Sequence, residues 1–186
     1  MTTTLATHAI PGLASSSLQK GLVIVLGSVL LAVSAKVQVP FWPVPMTMQT
    51  FVVLLFGAAL GWRMAGATVL AYLAQGALGL PVFAGGAGLA YMAGPTGGYL
   101  AGFLLAAVTV GWLAGRGFGR TIPTTFAVML VGQAIIFGLG VVWLSGFIGF
   151  EKAIAAGVTP FLLAEGFKIA LACAVLPLAW KLVGRV

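Results

Sequence analysis

The sequence predicts an all-α integral membrane protein with six transmembrane helices and both termini in the cytoplasm. Three observations carry that reading. Of 186 residues, 61% are apolar and only 6% charged, with a mean hydropathy of +1.18. A soluble domain carries about 25% charged residues, so nine Lys/Arg and two Glu with no Asp cannot clothe a water-facing surface, and lipid is the solvent for most of the chain. The charges also divide the chain into uncharged stretches at 21–35, 37–62, 64–115, 121–150, 153–164 and 169–180. Finally, the longest stretch is interrupted by Leu80-Pro81, by Gly85-Gly86-Ala87-Gly88 and by Gly94-Pro95-Thr96-Gly97-Gly98, clusters that punctuate helices.

Taken in order, residues 1–17 are polar and read as a flexible N-terminal tail, without the basic segment and cleavage site of a signal peptide. Residues 18–186 form one six-helix transmembrane domain, with helices expected at 18–38, 46–61, 64–79, 97–114, 122–145 and 159–182. A span needs about 20 residues, so the second and third are short. Three prolines and a tryptophan make Val39-Pro40-Phe41-Trp42-Pro43-Val44-Pro45 a loop at the membrane surface. A Gly-rich loop occupies about 80–96. Thr159 reads as the cap of the last helix and Pro160 as its first residue.

Orientation follows from the basic residues. With six spans, Lys20, Arg63, Arg116, Arg120, Lys181 and Arg185 share a side, against Lys36 and Lys152 on the other, so the side of the termini is cytoplasmic. The net charge of +7 is scattered to helix ends rather than clustered, which speaks for the lipid bilayer and against nucleic acid as partner. The single Cys173 excludes an internal disulfide, and two Glu without Asp give no carboxylate set for a metal. Small residues recur at spacing four in Gly94, Gly98, Gly102 and Ala106, and in the pairs Gly57/Gly61, Gly111/Gly115 and Ser28/Ala32. Such spacing lets helix backbones approach closely, within one bundle or between copies in a homo-oligomer.

Glu165 and Lys168 stand inside the last apolar segment, roughly 8 and 12 Å from its start at 1.5 Å per residue. Their i, i+3 spacing places them on one face. A charge at the centre of a membrane helix costs about 2.5–3.5 kcal/mol on insertion scales, and such a residue marks a site by default. The pair is either a ligand site, matching a small solute with both donors and acceptors, or an ion pair that ties the last helix to the bundle. Gln49, inside the second helix, either bridges helices or faces a ligand. Thr47 and Thr50 can bond their own backbone and are weaker candidates. The loop 84–98 offers backbone N–H groups to an anion, or is simply a tight turn or lid. The chain has no phosphate-binding Gly-x-x-x-x-Gly-Lys-Ser/Thr loop, no Gly-x-Ser-x-Gly elbow and no His-Glu-x-x-His. It therefore reads as no enzyme, and uphill transport would draw energy from a partner or a gradient.

The runs Val44-Pro45-Met46-Thr47-Met48-Gln49-Thr50-Phe51, Gly79-Leu80-Pro81-Val82-Phe83-Ala84-Gly85-Gly86 and Gly94-Pro95-Thr96-Gly97-Gly98-Tyr99, in that order, resemble the BioY family. BioY proteins are the biotin-binding S components of energy-coupling-factor (ECF) transporters. The likeness runs from about residue 20 to 182. Pro160-Phe161-Leu162-Leu163-Ala164-Glu165-Gly166-Phe167-Lys168 is similar to the family's last motif, with Ala164-Glu165 where Gly-Asp is usual, so the acid is one methylene longer. Leu89 stands where a further Gly is common. The resemblance implies a membrane protein that captures biotin from outside, with a transmembrane coupling protein and ABC-type ATPases as partners, and no cofactor. It implies a site in which Glu165 accepts the urea N–H groups, Lys168 donates to the urea C=O or holds Glu165, Gln49 assists, and Phe83, Tyr99 and the loop residues Gly85 and Gly86 complete the cavity. It also implies that Ser28 and Ala32 occupy the surface that docks on the coupling protein. An S component for another vitamin, or a structural membrane subunit, are the alternatives.

Overall fold

Every uncharged stretch that reads as a helix forms one, with ends shifted by a few residues and with small elements in the loops between. The structure, a computed structural model, describes residues 4–10 and 12–183. Arg185, used above for orientation, lies outside the described residues. The order is α1 (Leu5–Ala9), α2 (Ser17–Lys36), the strands β1 (Gln38–Val39) and β2 (Met46–Thr47), α3 (Gln49–Leu60), α4 (Trp62–Ala77), α5 (Gly88–Met92), α6 (Gly97–Gly115), α7 (Ile122–Ile148), α8 (Phe150–Gly157), a 3₁₀ turn (Thr159–Phe161) and α9 (Leu162–Val183). Four helical stretches are long and apolar enough to cross a bilayer: Ser17–Lys36, Gly97–Gly115, Ile122–Ile148 and Phe150–Val183. Gln49–Leu60 is a shorter apolar helix.

Several expectations are corrected. The segment read as a flexible tail contains α1, whose first turn is held by a reciprocal Thr4–Thr7 capping box, and Leu13 beside it is fully buried. The proline loop closes as a short antiparallel hairpin pairing Gln38 with Thr47 and Val39 with Met46. Thr159 does not cap α9; its hydroxyl turns back to the Ile154 carbonyl at 3.3 Å, and Pro160 sits in the 3₁₀ turn. The last span starts later because α8 fills the chain before it. α8 follows Gly149, whose φ of 84° breaks it from α7 in a conformation open to glycine.

The bundle is built around α6, which packs along α7 on one side and against α3 and α4 on the other; α2 leans on α4, and α9 lies across α7 and α3. The spaced small residues explain the close contacts. A Cβ on Gly98 would strike Trp143 and the Leu139 carbonyl, one on Gly102 would stand 2.9 Å from the Ile136 Cα, and one on Gly57 would stand 2.9 Å from the Ala107 carbonyl. These are contacts inside one bundle. Outward, α2 presents Leu18, Leu22, Val25, Leu26, Val29, Leu30 and Val33, all exposed, a surface that suits acyl chains.

The two ends differ. One gathers the hairpin, α5, α8 and the starts of α3, α6 and α9. Lys36 Nζ donates to the Phe83 carbonyl (2.6 Å), Trp143 Nε1 to that of Gly94 (2.9 Å) and the Tyr99 hydroxyl to that of Gly157 (2.9 Å). At the other end cations rest on tryptophan rings: Arg116 on Trp112 at 3.5 Å, Arg120 on Trp180 at 4.5 Å and Arg63 on Trp62 at 4.9 Å. Amphipathic rings and cations of this kind favour a membrane–water boundary.

Candidate functional site

Glu165 and Lys168, on the first turns of α9, point into the bundle and are 4% and 6% exposed. Their neighbours Leu163 and Phe167 point out, at 88% and 77%. Helical periodicity thus sends the pair inward. Lys168 Nζ meets Glu165 Oε1 at 2.6 Å, the single salt bridge among the described residues. It also donates to the Thr47 carbonyl at 2.6 Å and to Thr50 Oγ1 at 2.9 Å. An ammonium has three N–H groups, so all are used. The Thr50 hydroxyl lies 3.0 and 2.9 Å from the two Glu165 oxygens, and Gln133 Nε2 on α7 donates to Oε2. Four side chains from α3, α7 and α9 therefore share one buried polar knot. Burying a charge without such partners costs several kcal/mol.

Above the knot lies a cavity of about 40 Å³ lined by Gln49, Thr50, Tyr72, Phe83, Tyr99, Phe137, Phe161 and Glu165, among others. Its walls are aromatic. Phe83 stacks on Tyr91 (centroids 5.1 Å, 16°) and meets Tyr72 edge-on at 5.4 Å. Phe137 is edge-on to both Tyr99 (6.1 Å) and Phe161 (6.0 Å). Phe83 fits because Gly76 leaves the space its ring fills. Gln49, 3% exposed, donates to the Tyr72 hydroxyl at 2.7 Å. A shallower vestibule outside shares Pro45, Tyr91 and Thr96 with the cavity. On the flank, an open groove passes Val39, Met46, Leu163 and Phe167 and reaches Lys168 from the lipid side, so the ion pair forms the wall between groove and cavity.

Of the residues singled out from sequence, Glu165, Lys168, Gln49, Phe83 and Tyr99 converge here. Gly85 lines only the outer vestibule, and Gly86 lines neither space; a Cβ there would stand 2.9 Å from the Tyr91 ring, so its role is to admit that ring. Ser28 is not on an outer face. It is fully buried, accepts from Gln75 Nε2 on α4 at 2.9 Å and donates to the Val25 carbonyl at 2.8 Å; Ala32 packs partly buried against the core. Sequence reasoning discounted Thr50 and overlooked Gln133 and Tyr72. The available signal was a lone amide in the apolar stretch 121–150 and a lone tyrosine hydroxyl in the helix expected at 64–79.

The profile of the BioY family matches residues 5–185. The chain belongs to the BioY family. Among curated BioY relatives, a probable biotin transporter of Pyrococcus horikoshii is 40% identical over 77% of this chain and 85% of its own length. The biotin transporter of Thermotoga maritima is 39% identical over 77% and 85%, and BioY2 of Lactococcus lactis 36% over 78% and 81%. The crystal structure of an S-component for biotin from an ECF-type ABC transporter superposes with a TM-score of 0.76, covering 88% of this chain and 92% of that one at 22% identity. At that identity the likeness establishes a shared fold.

Proposed function

We propose that this protein is the biotin-capture subunit of an ECF-type uptake system: a multi-pass plasma-membrane protein, not itself an enzyme, whose energy comes from a coupling protein and ABC-type ATPases. The observation that carries the reading is an inward-facing acid–base pair at the floor of an aromatic cavity, in a chain whose BioY relatives are named biotin transporters. Residues 18–186 act as one substrate-binding domain with six spans. Two of these, α3 and α4, are about 18 and 24 Å long at 1.5 Å per residue, against a core of about 30 Å. Both termini are cytoplasmic, because Lys20, Arg63, Arg116, Arg120 and Lys181 lie at the end opposite Lys36 and Lys152. The cavity therefore opens outward.

Biotin carries a cyclic urea with two N–H donors and one carbonyl, on an otherwise apolar bicycle and chain. Glu165 is the urea acceptor. A carboxylate has about four acceptor positions. Lys168 and Gln133 take two, and the one Thr50 hydrogen serves either oxygen but not both, which leaves room for a ligand N–H. With all three of its own N–H groups engaged, Lys168 holds Glu165 in place rather than reaching for the ligand. Phe83, Tyr99 and Phe137 face the apolar rings. A water needs about 10–15 Å³ on the scale used for such cavities, so a space of about 40 Å³ admits biotin only when the Tyr91 wall, shared with the vestibule, parts.

Titration of the purified protein in detergent with biotin, followed by calorimetry with lipoate as control, tests the reading. One-to-one binding of biotin and none of lipoate is the expected result. Binding of another vitamin instead would make this an S component of different specificity. No binding by folded protein would return the ion pair to a structural lock.

A further inference from the structure

The cavity has two polar walls, and only one is used up. Among the described residues that line it and are buried, each hydroxyl but one has a short acceptor. Thr50 donates to Glu165 at 2.9 Å and Tyr99 to the Gly157 carbonyl at 2.9 Å. Tyr72 is the exception. It is fully buried, and its hydroxyl receives the Gln49 amide N–H at 2.7 Å. The amide oxygen faces the other way, with the Thr47 hydroxyl a long 3.4 Å from Gln49 Oε1 and the Gln49 backbone N–H donating to Thr47 Oγ1 at 3.2 Å. Tyr72 thus accepts from Gln49, and its own hydrogen must go elsewhere. The nearest acceptor is the Val82 carbonyl at 3.4 Å, well beyond the 2.7–2.8 Å of an ordinary O–H···O bond. A buried donor left this way carries a desolvation penalty that a better acceptor would remove.

We propose that Tyr72 is a specificity-determining residue: its hydroxyl, aligned by Gln49, donates to a carbonyl oxygen of the ligand, opposite the Glu165 wall that accepts a ligand N–H. The inference rests on the biotin reading and extends it by naming which protein group reads the urea oxygen. Lys168 has no N–H to spare for that task, and Thr50 has no spare O–H. The ring is held for it by the edge contact with Phe83. A site that hydrogen-bonds a particular group discriminates strongly against an analogue lacking it, because the buried partner is left unpaired.

The test compares biotin with 2-thiobiotin, which keeps both N–H groups, charge and shape but offers sulfur, a poor acceptor, in place of the oxygen. Wild-type protein should prefer biotin. Tyr72→Phe should weaken biotin roughly tenfold while leaving 2-thiobiotin nearly unchanged, so that the preference shrinks by that factor; a tenfold change corresponds to about 1.4 kcal/mol. Gln49→Leu, which removes the aligning donor, should move the ratio the same way by less, and decides the matter if Tyr72→Phe does not fold. Folded Tyr72→Phe with an unaltered ratio, or with both ligands weakened equally, overturns the assignment. Wild-type protein that binds neither ligand overturns the biotin reading itself, and the inference with it.

Discussion

The α9 wall of the cavity and the α4 wall solve the same problem in opposite ways. On α9, Glu165 and Lys168 are buried charges, and the bundle surrounds them with Thr47, Thr50 and Gln133 until every Lys168 hydrogen is taken. On α4, Tyr72 is neutral and the fold leaves its hydrogen with only a distant carbonyl. A charge in a lipid-surrounded bundle cannot be left waiting for a ligand, because an unpaired one costs several kcal/mol. A hydroxyl can, because its unmet bond costs about 1–3 kcal/mol. The saturated wall therefore sets geometry and the unsaturated wall is free to discriminate.

Four substitutions away from Tyr72 break or sharpen this contrast. Lys168→Ala should have the largest effect. It strands a buried carboxylate, which lowers stability by about 3–5 kcal/mol and, in protein that still inserts, abolishes high-affinity biotin binding; thermal unfolding and calorimetry would read the two effects. Retained affinity would mean that the pair is not the floor of the site. Thr50→Val keeps the shape and deletes the hydroxyl shared by both Glu165 oxygens. A loss of about 1–3 kcal/mol in binding, roughly 5- to 150-fold in Kd, is expected from titration. Gln133→Leu removes one donor to Glu165 but also a buried Oε1 with no partner. The two changes offset, so affinity should fall less than about fivefold. A larger fall would show that Gln133 positions the carboxylate as firmly as Lys168 does. Ser28→Ala lies outside the cavity and breaks the Gln75 contact together with the bond to the Val25 carbonyl. It should lower stability by about 1 kcal/mol with biotin affinity unchanged.

Much of this was legible from residues alone. Two charges in an apolar run have few places to go, and helical spacing puts Glu165 and Lys168 on one face, so the floor of the site could be named. Their supporting residues could not. Thr50 and Gln133 stand 115 and 32 positions from Glu165, and an uncharged polar residue in a membrane helix can satisfy itself on its own backbone. Gly85 and Gly86 were legible as a loop but not as lying outside the cavity, since whether a backbone N–H faces a ligand depends on where Tyr91 packs. α8 and the hairpin escaped notice because short elements at a membrane surface carry no long apolar signature.

Ser28 shows the general limit. A small residue announces that something approaches closely, not from which side. In a water-soluble helix the polar face would say which way is out. Here lipid is as apolar as the core, so α2 is hydrophobic all round, and periodicity loses its information. Composition and charge placement by themselves determined the solvent, the helices and the one expensive ion pair, because those follow from the cost of polar groups in hydrocarbon. Which face of each helix turned inward, and therefore that Ser28 meets α4, that Thr50 and Gln133 meet Glu165 and that Tyr72 at the cavity wall is left with only a long bond to the Val82 carbonyl, was decided by tertiary packing, where the close fit of glycines against side chains selects among faces that hydrophobicity cannot tell apart.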